Sequence, residues 1–136
     1  MKRTSTAVWK GTAKDGRGYL TTQSTTLDNT KYTWKSRFEG DPETNPEELI
    51  AAAHAGCFSM AFSFALNNEG YTADNIETTA TVTLDNGTIT HSHLIVNAKV
   101  PGINQETFEK CAKGAKESCP VSKVLNLDIS MDAKLV

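Results

Sequence analysis

Leu49 to Leu66 is a run of apolar and small residues in which only His54, Ser59 and Ser63 are polar and nothing is charged. About eighteen such residues reach the length of a membrane span. The run is nevertheless rich in alanine, only weakly hydrophobic, without Lys or Arg at its borders, and has no counterpart elsewhere in the chain. A helix that is apolar all round is a buried helix. One small sheet covers one side of such a helix, so the other side needs a second layer or a second subunit. The expected arrangement is a homodimer with this helix central and no membrane involved.

The ends of the helix are marked. Asn45 is a good N-cap, Pro46 suits the first helical position, and Glu48 completes a capping-box-like arrangement. Glu47 and Glu48 favour the positive end of the helix dipole. Gly70 follows Asn68 as a stop signal. The helix then spans roughly 23 residues, about 35 Å.

The remainder reads as strands and one further helix. Extended segments are expected at about Thr4–Thr12, Gly18–Leu27 and Lys31–Phe38. In the third, Tyr32, Trp34 and Phe38 share a core face, opposite Lys31, Thr33, Lys35 and Arg37. Ile76–Leu84 and Thr88–Val100 alternate around Asn86-Gly87, a strong hairpin signal. A helix starting near Asn104 places Phe108, Cys111, Ala112, Ala115 and Cys119 on one stripe, and Pro120 should kink or restart it. A last strand alternates Leu127, Ile129, Met131, Ala133 and Leu135 with polar residues. The order is βββαββαβ, an α+β fold of about six mostly antiparallel strands and two main helices.

A length of 136 residues points to a single domain, 1–136. With 14 basic residues against 16 acidic, the net charge of −2 argues against nucleic-acid binding and provides no polybasic membrane anchor. Met1–Thr6 runs into polar sequence with no apolar signal segment, so a cytoplasmic protein is expected. There the cysteines Cys57, Cys111 and Cys119 should be free thiols.

A reactive cysteine needs its thiolate favoured. Cys57 lies mid-helix, beyond help from the dipole, and so needs a cation brought by the fold. His54, one turn earlier, and Arg37 are the candidates. Cys119 sits at a helix C-terminal end, where a thiolate is disfavoured. Cys111 reads as a core residue. Cys111 and Cys119 are eight positions apart, about 12 Å on a helix, too far for a disulfide; Cys57 with Cys119 is the better pair. His54-x-x-Cys57 and His91-x-His93 offer metal-ligand types, but the latter face also carries Asn97 and Lys99 and reads as solvent-facing. No metal or cofactor is expected.

Arg37-Phe38-Glu39-Gly40, then Thr44 to Met60 with its Ala53-His54-Ala55-Gly56-Cys57, then Val100-Pro101-Gly102-Ile103, then Cys119-Pro120-Val121-Ser122 resemble the OsmC/Ohr family of osmotically inducible and organic-hydroperoxide-resistance thiol peroxidases, and the OsmC branch in particular. The resemblance implies an intertwined homodimer with two active sites at the subunit interface. It implies that Cys57 is the peroxidatic thiolate, Cys119 the resolving thiol, Arg37 the group that lowers the cysteine pKa and Glu47 the group that orients Arg37; Arg17 is an alternative arginine. It further implies organic hydroperoxides as substrates, ahead of hydrogen peroxide, and a dihydrolipoyl group as thiol reductant. Glu47 precedes Cys57 by ten residues, about 15 Å of straight helix. Arg37 and Glu47 are therefore expected to reach Cys57 from the partner subunit. A non-catalytic dimer that binds a small apolar molecule, and a redox sensor working through a Cys57–Cys119 bond, are the competing readings.

Overall fold

The computed structural model describes residues 1–136. The chain divides into two compact units, Met1–Leu49 and Ile50–Val136.

The first unit holds a three-stranded antiparallel sheet in the order β1 (Ser5–Lys10), β2 (Arg17–Thr22), β3 (Thr30–Thr33). Here the expected third strand is cut short. Trp34–Phe38 is a short helix, α1, because Thr33 and Ser36 cap each other. The Ser36 N–H donates to Thr33 Oγ1 and the Thr33 N–H donates to Ser36 Oγ, both at 3.0 Å. The aromatic residues of this segment are consequently not core: Tyr32 and Trp34 are half-buried and Phe38 is exposed. Gly18 is required by close packing, since a methyl group there would run into the Tyr32 and Trp9 rings, which lie 5.4 Å apart.

The long helix, α2 (Pro46–Asn68), runs as its sequence signals predict. The Glu48 N–H donates to Asn45 Oδ1 at 2.9 Å. At the far end Gly70 takes a left-handed conformation, φ +85°, and the Tyr71 N–H returns to the Leu66 carbonyl at 2.9 Å.

The second unit carries the other sheet, in the order β4 (Asn75–Asp85), β5 (Thr88–Lys99), β6 (Asp128–Leu135). β4 and β5 form an antiparallel hairpin whose two-residue turn has Asn86 and Gly87 at φ 47° and 78°. β6 joins β5 in parallel, the one parallel pair among the six strands. A parallel neighbour needs a crossover, which α3 (Gln105–Ser118) and α4 (Pro120–Val124) supply. The core of this unit packs Phe58, Phe62 and Leu66 of α2 against Leu94, Val96 and Ala98 of β5 and Phe108, Cys111, Ala112 and Ala115 of α3. Phe62 meets Phe108 edge to face at 5.4 Å. The opposite face of α2 is bare: Met60 and Phe64 are 71% and 73% exposed. The six strands thus form two sheets rather than one, with four helices, two of them only a turn or so long.

Candidate active site

Two clusters carry the chemistry-bearing side chains, one in each unit. In the second, Cys57 from the middle of α2 and Cys119 from the α3–α4 corner are near enough for each thiol to act on the proton affinity of the other. All three cysteines are free thiols. The reason Cys119 lies where it does is local. Its N–H closes α3 on the Ala115 carbonyl at 2.9 Å, and Pro120 then restarts the chain as α4, with Cys119 as its N-cap residue.

This double role corrects the expectation that a Cys119 thiolate is disfavoured. Burial opposes the charge, but the neighbouring Cys57 thiol and the polar groups of Ser122 and Val121 at the start of α4 outweigh it and hold the Cys119 thiol below its ordinary pKa. Burial pushes the Cys57 thiol up, reinforced by the neighbouring Cys119 thiol. Cys111 lies apart, packed in the core with its thiol 3.6 Å from the Ala65 carbonyl and pushed up by burial.

His54 is not the cation that Cys57 needs. It is fully buried, with Nδ1 2.7 Å from Ser92 Oγ and Nε2 2.9 Å from Ser122 Oγ. Burial lowers its pKa and keeps the imidazole neutral near pH 7.

In the first unit, Arg37 lies on α1, not on a strand face beside Lys31 and Lys35. It grips Glu47, the second residue of α2: Nη2 donates to Oε1 at 2.7 Å, and Nε donates to Oε1 and Oε2 at 3.0 and 3.2 Å. Ser36 and Asn45 fix this geometry. The Ser36 hydroxyl donates to the Thr44 carbonyl at 2.9 Å, and Asn45 Nδ2 donates to the Ser36 carbonyl at 3.2 Å, which ties α1 to the start of α2. The Arg37 guanidinium also lies 5.3 Å from the centre of the Phe38 ring. Beside it opens a hollow of about 250 Å³ walled by Trp9, Tyr32, Trp34 and Phe38. The aromatic side chains that sequence periodicity assigned to the core line this hollow instead. Arg17 lies elsewhere, exposed at the start of β2 in a basic hollow with Lys14, Lys31 and Lys35.

His91 and His93 share Ser130: His91 Nε2 and His93 Nδ1 lie 2.7 and 2.6 Å from its Oγ, and His93 Nε2 lies 3.3 Å from Asp132 Oδ2. They lie on the outward face of β5 with Ile95, Asn97 and Lys99, as expected, half-buried, and they tie β5 to its parallel neighbour.

The thiol pair of the second unit is suited to redox chemistry, and, separately, the first unit offers a carboxylate-held arginine beside an aromatic hollow. Residues 38–134 match the family of OsmC-like proteins, and the chain belongs to that family. It is 46% identical to the peroxiredoxin OsmC of Escherichia coli over 133 residues, 95% of this chain and 93% of the relative. It is 32% identical to the organic hydroperoxide resistance protein OhrB of Bacillus subtilis, covering 92% of this chain and 96% of the relative. Among solved structures, an OsmC-like protein from Mycoplasma pneumoniae superposes with a TM-score of 0.78 over all of this chain and 98% of its own; at 13% identity that likeness speaks for the fold alone.

Proposed function

We propose that this chain is a thiol-dependent peroxidase of oxidative and osmotic stress defence that reduces organic hydroperoxides, and hydrogen peroxide less efficiently, through Cys57 and Cys119. The observation that carries this reading is the nearness of the Cys57 and Cys119 thiols, each acting on the proton affinity of the other; the names of the peroxiredoxin and hydroperoxide-resistance relatives support it. The Cys57 thiolate attacks the terminal peroxide oxygen, the O–O bond breaks, and the alcohol leaves with a proton. The resulting sulfenic acid at Cys57 is attacked by Cys119; the disulfide forms and water departs. A dithiol reductant, of which a dihydrolipoyl group is our candidate, exchanges with the disulfide and restores both thiols. No cofactor enters the cycle.

Within Ile50–Val136 no cation acts on Cys57, and its thiol is pushed up by burial. The peroxidatic thiolate therefore draws on Arg37, oriented by Glu47, supplied by a second copy of the chain. The ten helical residues between Glu47 and Cys57 favour this intersubunit reading over a cis one. The exposed Met60 and Phe64 face of α2 and the fully exposed β1 favour a homodimer that covers them. The aromatic hollow beside Arg37 suits the hydrocarbon part of an organic peroxide. The 136-residue sequence then works as one functional domain, in a cytoplasm reducing enough for three free thiols.

Intact mass after one equivalent of cumene hydroperoxide tests the reading. Loss of two hydrogens, mapped by digestion to Cys57–Cys119, is expected. A Cys57→Ser protein that still consumes the peroxide would overturn it.

A further inference from the structure

The peroxidase cycle makes no use of His91 and His93, and these two are not arranged as independent surface histidines. They stand two positions apart on β5, so both rings rise from one face of the strand. The rings lie nearly parallel, 13° apart, with centroids 6.4 Å from one another. His91 turns Nε2 and His93 turns Nδ1 toward a single atom, Ser130 Oγ of the neighbouring β6, at 2.7 and 2.6 Å. Two imidazole nitrogens therefore converge where one small hydroxyl stands.

One hydroxyl hydrogen serves both contacts. Ser130 gives it to one ring, so the other ring must donate to the Ser130 oxygen. Asp132 decides which ring does what. Its Oδ2 lies 3.3 Å from His93 Nε2, and a carboxylate draws the ring proton to the nitrogen that faces it. His93 thus keeps Nδ1 bare and takes the Ser130 hydrogen there, while His91 supplies the N–H. An imidazole with one nitrogen bare and the other beside a carboxylate is in the form in which histidine binds metal. Imidazole holds zinc at about 2.0–2.1 Å, about half an ångström closer than the rings now hold Ser130.

We propose that His91 and His93 form a chelate for a divalent first-row transition-metal ion: His91 Nε2 and His93 Nδ1 are the ligands, and Asp132 orients His93. No third histidine, cysteine or carboxylate joins them at that point, so the Ser130 hydroxyl and water complete the coordination. The donors select the class of ion. Imidazole nitrogen suits zinc, copper and nickel, whereas magnesium and calcium take oxygen ligands. On binding, the His91 ring proton passes from Nε2 to Nδ1. Asp128, the register partner of His91, adds a second negative charge on the same face. The half-buried rings leave the ion an approach from outside. The thiol pair belongs to the core on the inner face of β5, so the sheet stands between it and the ion.

The test titrates zinc chloride into the reduced full-length chain and follows the histidine ring nitrogens by proton–nitrogen NMR. Zinc taken up by the thiols does not mimic this readout, because it binds no ring nitrogen on the outward face; the titration continues past it. His91 Nε2 and His93 Nδ1 should shift together, with the His93 proton staying on Nε2. In His93→Ala the His91 shift should vanish over the same range of zinc. Asp132→Asn, which changes an exposed side chain, should weaken zinc binding about 10- to 100-fold. Rings that stay unshifted in a large excess of zinc overturn the proposal. So does a His91 shift that persists unchanged in His93→Ala, the mark of a lone histidine. Shifts at His91 Nδ1 or His93 Nε2 overturn it too, since the ion would then lie off the shared point. If His93→Ala does not fold, the ring shifts of the parent chain and the affinity of Asp132→Asn decide it. No peroxide is used, so the outcome is independent of the peroxidase reading.

Discussion

Arg37 holds Glu47 through both carboxylate oxygens, with the shortest bond 2.7 Å long, and the carboxylate is nearly buried while the guanidinium stays open to solvent. The asymmetry assigns the roles. Glu47 is fixed at the first turn of α2 and serves as the anchor; Arg37 retains free N–H groups to offer another molecule.

Replacing Glu47 with Gln should therefore damage turnover far more than folding. An arginine that is 37% exposed can turn to water, so the lost pair should cost about 1 kcal/mol or less of stability. A guanidinium no longer held in place should lower peroxidase kcat/KM about 100-fold. Stopped-flow kinetics and urea unfolding on the same variant separate the two. Mixing Cys57→Ser with Glu47→Ala chains should restore about half the activity per dimer if the pair acts across subunits; mixtures with no recovered activity would rule that arrangement out.

The two faces of α2 should respond differently. Phe62, fully buried and edge-on to Phe108, should cost about 3–5 kcal/mol on conversion to Ala. Phe64, two positions on and exposed, should cost the single chain little. If a second copy covers this face as proposed, Phe64→Lys should place a charge in that contact and shift the protein from dimer to monomer in sedimentation velocity.

His54 makes stability depend on pH with a definite sign. Its folded pKa is depressed by burial, below the ordinary value of about 6.5. At pH above that value both states are neutral and the contribution is complete. As pH falls toward the folded pKa, the unfolded chain gains a proton that the folded one refuses, and stability is lost. The unfolding free-energy gap between the reduced wild type and His54→Gln should accordingly narrow from pH 7.5 to pH 5. A gap independent of pH would show that the imidazole is not buried as described.

Gly18→Ala should disturb the aromatic hollow from behind. The added methyl meets the Tyr32 and Trp9 rings, and overpacking of this kind costs about 1–3 kcal/mol. Trp fluorescence should shift, and KM for cumene hydroperoxide should rise while that for hydrogen peroxide stays put, since only the former has a hydrocarbon part to seat.

Local signals made most of the fold legible. Asn45-Pro46 and Gly70 bounded α2, Asn86-Gly87 set the hairpin, and the Phe108–Ala115 stripe foretold which face of α3 is buried. The misread segment, Trp34–Phe38, alternates in polarity well enough to pass for a strand. The reciprocal Thr33–Ser36 cap was the signal against it, and it also moves Arg37 from a strand face onto a helix. Pro120, expected to kink or restart the helix, does restart it as α4, with Cys119 in the N-cap position. The Ser92–His54–Ser122 line was not legible, because it joins residues 38 and 68 positions from His54, a closeness that only the packed fold creates.

Cys119 finishes one helix and begins the next, and Cys57 sits midway along a third. Neither sulfur hangs from a loop that can swing, so a disulfide between them, as proposed, would be closed by turning two side chains on a stationary backbone. Oxidised and reduced forms should share one shape, with little recoil to broadcast. Such a scaffold is built to cycle quickly rather than to signal that it has been oxidised.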